Sequence, residues 1–218
     1  MEKENIAAFF DVTGVFFELK KGSLAFGEHL YQKGLFNSEN AEELRKLVKR
    51  FANGEKELLE YIVTEGARGL AGQNVLRVEE EASKYFKEQI MPGIYQPAIQ
   101  EVKKLQKEGY QIILITREYE QIVKPLAVYL QADDYYAIRL EKEQKLPRVY
   151  TGKTTLIPYF DVKVDLIVQL AKKYALNLAK CRVYDDEVDV FTILQQKKIS
   201  VQQFHVIADQ SQWIMEIF

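Results

Sequence analysis

The sequence predicts an α/β protein: a three-layer core built on a parallel sheet, with a bundle of helices inserted after the first strand. Three observations predict it. The unbroken apolar run Ile6-Ala7-Ala8-Phe9-Phe10 delivers Asp11 and then the turn Val12-Thr13-Gly14, the pattern of a strand buried on both faces. From Tyr95 onward, apolar runs alternate with helical periodicity, as successive βα units require. Between these two regions the residues carry only helical spacing.

In that middle region, Leu24, His29, Leu30 and Leu35 open a first helical pattern, and Leu44, Leu47, Val48 and Phe51 continue it up to the Asn53-Gly54 breaker. Leu58, Leu59, Ile62 and Val63 mark a third helix; Val75, Val78, Ala82, Tyr85, Phe86 and Ile90 mark a fourth, ended by Met91-Pro92-Gly93. Residues 21–91 therefore form a helical cap, and residues 1–20 with 92–218 form the core. In the core, a helix over 96–108 with Gly109 as C-cap precedes the strand Tyr110–Ile115, which ends at Thr116. A helix from about Glu118 to Gln131 carries Pro125 as a kink. Tyr135–Leu140 reads as a strand and 141–153 as a hairpin excursion. A helix after Asp161 presents Val164, Ile167, Val168, Leu170 and Ala171 on one side. The strand Cys181–Tyr184 runs into Asp185-Asp186, followed by a helix through Leu194, a last strand at Val206-Ile207 and a terminal helix from Ser211 to Phe218.

Composition bounds the function. With 218 residues, 47% hydrophobic and 28% charged, the chain can bury one sizeable core and a satellite. Its 30 basic and 32 acidic residues are mixed along the sequence, so no basic face for nucleic acid or membrane headgroups stands out. A single cysteine, Cys181, excludes an internal disulfide. With no signal-like or membrane-spanning apolar run, the expected location is cytoplasmic.

In open α/β sheets ligands bind at the carboxyl ends of the strands, and here those ends offer Asp11, Thr116 and the acidic run Asp185-Asp186-Glu187-Val188-Asp189. The two histidines, His29 and His205, have no paired nucleophile motif and are expected to be structural. Cys181 is expected to pack as a small hydrophobe. Phe16 and Phe17, just past the first turn, are placed to narrow an entrance under the cap.

The ordered set of Asp11, Thr116, Lys163 and Asp186 resembles the four motifs of the haloacid dehalogenase superfamily of phosphotransferases. The cap between the first two motifs is similar to that of its phosphoserine phosphatase-like branch, and the similarity covers nearly the whole chain. The resemblance implies a Rossmann-like core and an Asp11 nucleophile. It also implies a Mg²⁺ ion on Asp11, the Thr13 carbonyl and a motif IV acid, with Asp185, Asp186 and Asp189 as candidates. Phosphate would be held by Thr116, Lys163, Arg117 and the Gly14 turn. Hard oxygen ligands suit that ion, and a cation with an ammonium offsets the repulsion between a carboxylate and a phosphate.

Departures temper the activity. Thr13 stands where the family has its general acid/base aspartate, and a hydroxyl is no base near neutral pH. The acidic run fits the family pattern in two frames, which leaves Asp185 and Asp186 as alternative metal ligands. Two functional readings follow: an attenuated phosphomonoester hydrolase or phosphotransferase acting on a small phosphorylated metabolite, and an inactive relative serving as a binding or regulatory protein, with a protein partner or a second copy of itself.

Overall fold

A computed structural model describes residues 5–156, 160–207 and 212–216. The N-terminal apolar run forms β1 (Ala7–Phe10), every residue of which is buried. Because successive strand side chains face opposite ways, its residues divide between two cores. Ala8 and Phe10 join Ile112 and Leu114 of β2 (Gln111–Tyr119) in one; Ala7 and Phe9 join Ile113 and Ile115 in the other. The first core is filled by α5 (Gln96–Glu108), α6 (Glu120–Leu130) and the helices α1 (Ser23–Gln32), α2 (Ser38–Ala52), α3 (Leu59–Gly69) and α4 (Val75–Tyr85). The second is filled by α7 (Phe160–Lys173) and α8 (Val188–Gln196). The result is a sheet between two helical layers, with α1 to α4 strung between β1 and α5 as the sequence predicts.

Among the described residues seven strands make the sheet, in the order β4-β3-β2-β1-β5-β6-β7, where β3 is Asp134–Lys142, β4 Tyr150–Leu156, β5 Arg182–Asp185, β6 Gln202–Ile207 and β7 Gln212–Glu216. The five central strands are parallel, and β4 and β7 close the edges antiparallel. β1 lies at the centre, in the position that right-handed crossovers to both sides create.

Three differences from the sequence expectation have physical causes. The segment expected as a terminal helix pairs antiparallel with β6 as β7; it is too short to sustain a helix alone, and it covers what would be an open strand edge. Ser211 and Phe218, the ends of that expected helix, lie outside the described residues. β2 continues past Thr116 to Tyr119, so α6 starts at Glu120 and is continuous through Pro125. Between Ile115 and Tyr119, β2 takes four residue steps while β3 takes two, from Tyr136 to Ile138. This bulge re-aims Thr116, Arg117 and Glu118 out of the ladder. Finally, Phe16 and Phe17 are fully buried core residues and do not line the cavity at the strand tips. A tight turn, with the Phe16 N–H on the Val12 carbonyl and the Gly14 N–H on the Phe17 carbonyl, folds them inward.

Phe10 of β1 stacks on Tyr184 of β5 with ring centroids 4.3 Å apart and planes 5° from parallel. This contact sits one residue below the strand tips and ties the two central strands together. Phe10→Ala is expected to destabilise the fold by ~3–5 kcal/mol, read from the denaturant midpoint; a loss below ~1 kcal/mol would show that the stacked pair does not hold the strands.

Candidate active site at the strand tips

Pairing of Phe10 with Tyr184 brings the two following residues, Asp11 and Asp185, side by side at the end of the central strands. The Asp11 N–H donates to the Tyr184 carbonyl at 2.9 Å, which continues the ladder by one bond. Asp11 is 6% exposed and Asp185 3%. Buried carboxylates need compensation, and Lys163 in the first turn of α7 provides it. Its ammonium donates to Asp11 Oδ2 at 2.6 Å, Asp185 Oδ2 at 3.2 Å and Glu187 Oε2 at 3.3 Å. Burial alone pulls the lysine pKa down; the Asp11 and Asp185 charges outweigh it and hold the ammonium above its ordinary value.

The acids outnumber the cations. Asp11, Asp185 and Asp186 place carboxylate oxygens within 4.8 Å of one another. Burial, with Asp11 nearby, pushes Asp186 up to about 6, and burial likewise raises Asp185 against the pull of Lys163. This buried cluster of hard oxygens short of positive charge is suited to a divalent cation. Gly14, at φ 79°, supports the same arrangement, because a Cβ there would run into the Asp186 carboxylate. Its N–H is already committed to Phe17, so Gly14 contributes the turn and the space.

The other candidates divide. Thr116 is fully buried, with its hydroxyl oxygen accepting the Glu118 N–H at 3.4 Å. Arg117 pairs with Glu187. Thr13 lines the cavity. Asp189 also lines it, but from the exposed first turn of α8 and outside the three-acid cluster. The cavity, about 520 Å³, lies between these strand tips and the inner faces of α1, α2 and α3, within the range of small-molecule sites.

Glu118 is the functional-site residue that sequence reasoning missed. The bulge in β2 turns it inward, where it is 7% exposed. It accepts the Ser23 N–H at 2.5 Å and the Ser23 hydroxyl, and it hydrogen-bonds to Thr13. Burial pushes its carboxyl up. Neighbouring Tyr119 donates its N–H to Ser23 Oγ at 2.8 Å and its hydroxyl to the Val63 carbonyl at 2.8 Å. Together these two residues fasten the end of β2 to α1 and α3. Only the fold reveals Glu118 as a site residue: a Cβ on Gly22 would lie 2.5 Å from Glu118 Oε1, so the glycine makes room for this acid.

Comparison with known proteins agrees with the architecture. A family model described as haloacid dehalogenase-like hydrolase matches residues 23–189. The chain is 24% identical over 193 residues to the inhibition of morphological differentiation protein of Streptomyces azureus, which covers 87% of this chain and 68% of that relative. Among solved structures, a Bordetella pertussis Tohama I protein of unknown function superimposes with a TM-score of 0.75 at 19% identity, over 92% of this chain and 89% of that one. The unliganded probable phosphoserine phosphatase from Vibrio cholerae gives 0.66 at 14% identity, over 92% of this chain and 55% of that one. Among the described residues no helix is long and apolar enough to cross a membrane.

The raised acid pKa values set a pH dependence. Asp186 moves from 3.8 to about 6 on folding, so between those values the folded state holds the proton that the unfolded state has lost. Stability of the chelator-treated protein is therefore expected to fall as pH rises from about 4 to about 6 through this group. Asp186→Asn should flatten that part of the profile in denaturant titrations; an unchanged slope would show that Asp186 is not held in this buried, repelled position.

Proposed function

We propose, for a chain that belongs to the haloacid dehalogenase-like hydrolase family, that it is a Mg²⁺-dependent phosphomonoester hydrolase or phosphotransferase working through an aspartyl phosphate on Asp11. The observation that carries this reading is the Asp11 carboxylate, buried at a strand tip with the Lys163 ammonium at 2.6 Å and two further carboxylates beside it.

Asp11 is the nucleophile. One of its carboxylate oxygens attacks phosphorus, the bond from phosphorus to the leaving oxygen breaks with its electron pair on that oxygen, and the alcohol leaves with a proton taken from solvent. Water then attacks the acyl phosphate, which releases inorganic phosphate and restores Asp11. Lys163 offsets the charge brought by the phosphoryl group, and the Thr116 hydroxyl donates to it, since its oxygen already accepts from Glu118. Arg117, braced by Glu187, adds a second cation at the edge of the same space.

Mg²⁺ would be held by Asp11, the Thr13 carbonyl and Asp186, the motif acid that faces the cavity, and when bound it supplies charge neutralisation for the phosphoryl group. Asp185 lies behind, engaged by Lys163 and by the Glu187 N–H at 3.0 Å, and acts as the partner that keeps Lys163 in place. Residues 21–91 serve as the cap over a core of residues 1–20 and 92–218. The substrate is a small phosphorylated metabolite that enters between the two.

Thr13 slows the cycle. Its hydroxyl is tied to Glu118 and offers no base for the leaving alcohol or for water, a loss of ~10²–10⁴ in rate. The same tie favours a second reading, a phosphate-binding protein that keeps the charge cluster without turnover.

With an aryl phosphate and Mg²⁺, slow hydrolysis is expected, lost in Asp11→Asn and raised by about 10² or more in Thr13→Asp. Inactivity of both the native protein and Thr13→Asp would leave the binding protein as the function.

A further inference from the structure

The two ends of the cavity differ in chemistry. The charged residues that line it come from the strand tips, the bulge and the start of α8: Asp11, Arg117, Glu118, Asp186, Glu187 and Asp189. Among the described residues, the opposite wall, contributed by α1, α2, α3 and the segments that join them, has no charged lining residue. It presents Leu24, Phe36, Leu44, Phe51, Leu59 and Ile62.

Polar groups on that side are already engaged. The Ser23 hydroxyl donates to Glu118 and accepts from the Tyr119 N–H. The Ser23 N–H also goes to Glu118, and the Tyr119 hydroxyl goes to the Val63 carbonyl. A leaving group with an ammonium, a carboxylate or several hydroxyls would exchange water for these hydrocarbon surfaces without replacement partners, at the cost of each unmade hydrogen bond. A hydrocarbon leaving group gains from the same transfer.

From this division we infer that the site is specific for phosphate monoesters of apolar alcohols, with an uncharged alkyl, prenyl or aryl group lodged between α1, α2 and α3 and the phosphate at the strand tips. This inference rests on the proposed phosphate site and adds the substrate class to it. The wall opposite the carboxylates, not the strand tips, is what disfavours amino-acid and sugar phosphates here.

Calorimetric titration with non-hydrolysable phosphonates in the presence of Mg²⁺ separates the two readings. Methylphosphonate probes the phosphate end alone. Ethyl- to hexylphosphonate probe the apolar wall, and the phosphonate analogue of phosphoserine probes a charged leaving group. Affinity is expected to rise about three- to fourfold per added methylene, roughly 10²-fold from ethyl to hexyl, with the phosphoserine analogue weaker than propylphosphonate. Leu24 is 43% exposed and tolerant of change, so Leu24→Ser should lower the chain-length slope in a folded protein; Leu59→Ser, at the start of α3, is the second variant.

Methylphosphonate binding with a flat series, or with the phosphoserine analogue tightest, would overturn the substrate class and leave the phosphate site standing. No binding by any phosphonate would overturn both. A slope unaltered in both serine variants would place the hydrocarbon elsewhere and overturn the assignment of the wall.

Discussion

A lysine ammonium buried at the edge of a parallel sheet is the constraint on which the rest of this structure depends. Lys163 is 1% exposed and touches Asp11, Asp185 and Glu187. None of these charges could be buried alone, because an uncompensated ion in the interior costs several kcal/mol. Their mutual placement is therefore a condition of folding as well as of chemistry. It requires β1 and β5 to be neighbours in one register, and α7 to begin at the level of their tips. The apolar strand residues below, among them the Phe10 and Tyr184 stack, supply the burial that makes the charges matter.

Around that cluster the chain builds two unlike surfaces. The bulge in β2 carries Thr116, Arg117 and Glu118 out of the ladder, and Glu118 and Tyr119 then hold α1 and α3 over the strand tips. One strand end thus furnishes the buried Thr116 hydroxyl and also the fastening for the helices above. Charge is concentrated where a phosphoryl group and a cation would sit, and hydrocarbon where a leaving group would sit. Thr13 lies at the junction, bound to Glu118, and this is where the chain departs most from the motif it otherwise resembles.

Much of this was legible in the sequence because it depends on patterns with a short period. Five apolar residues before Asp11 admit little other than a buried strand, and the alternation after Tyr95 dictates the parallel sheet and its helices. Lys163 was legible from its place in the order of motifs. The remainder depends on contacts between distant segments. Glu118 looks like an ordinary acid at a helix start until the extra residues of β2 turn it toward Ser23 and Gly22, 95 positions away in the case of Ser23. Whether Asp185 or Asp186 faces the cavity turns on a single residue of strand register, which no local pattern encodes. Gln212–Glu216 has too few residues to tell a helix from a strand by period, and pairing with β6 decides it. Phe16 and Phe17 read as an entrance until the turn at Gly14 folds them into the core.

The most direct test of the central claim is the crystal structure of the protein with Mg²⁺ and beryllium fluoride, a mimic of a phosphorylated aspartate. A beryllium trifluoride adduct, with beryllium bonded to an Asp11 carboxylate oxygen, the cation between Asp11 and Asp186 and the Lys163 ammonium against the fluorides, is the expected result. An unmodified Asp11 still closed onto Lys163, with the cation bound elsewhere or not at all, would contradict it.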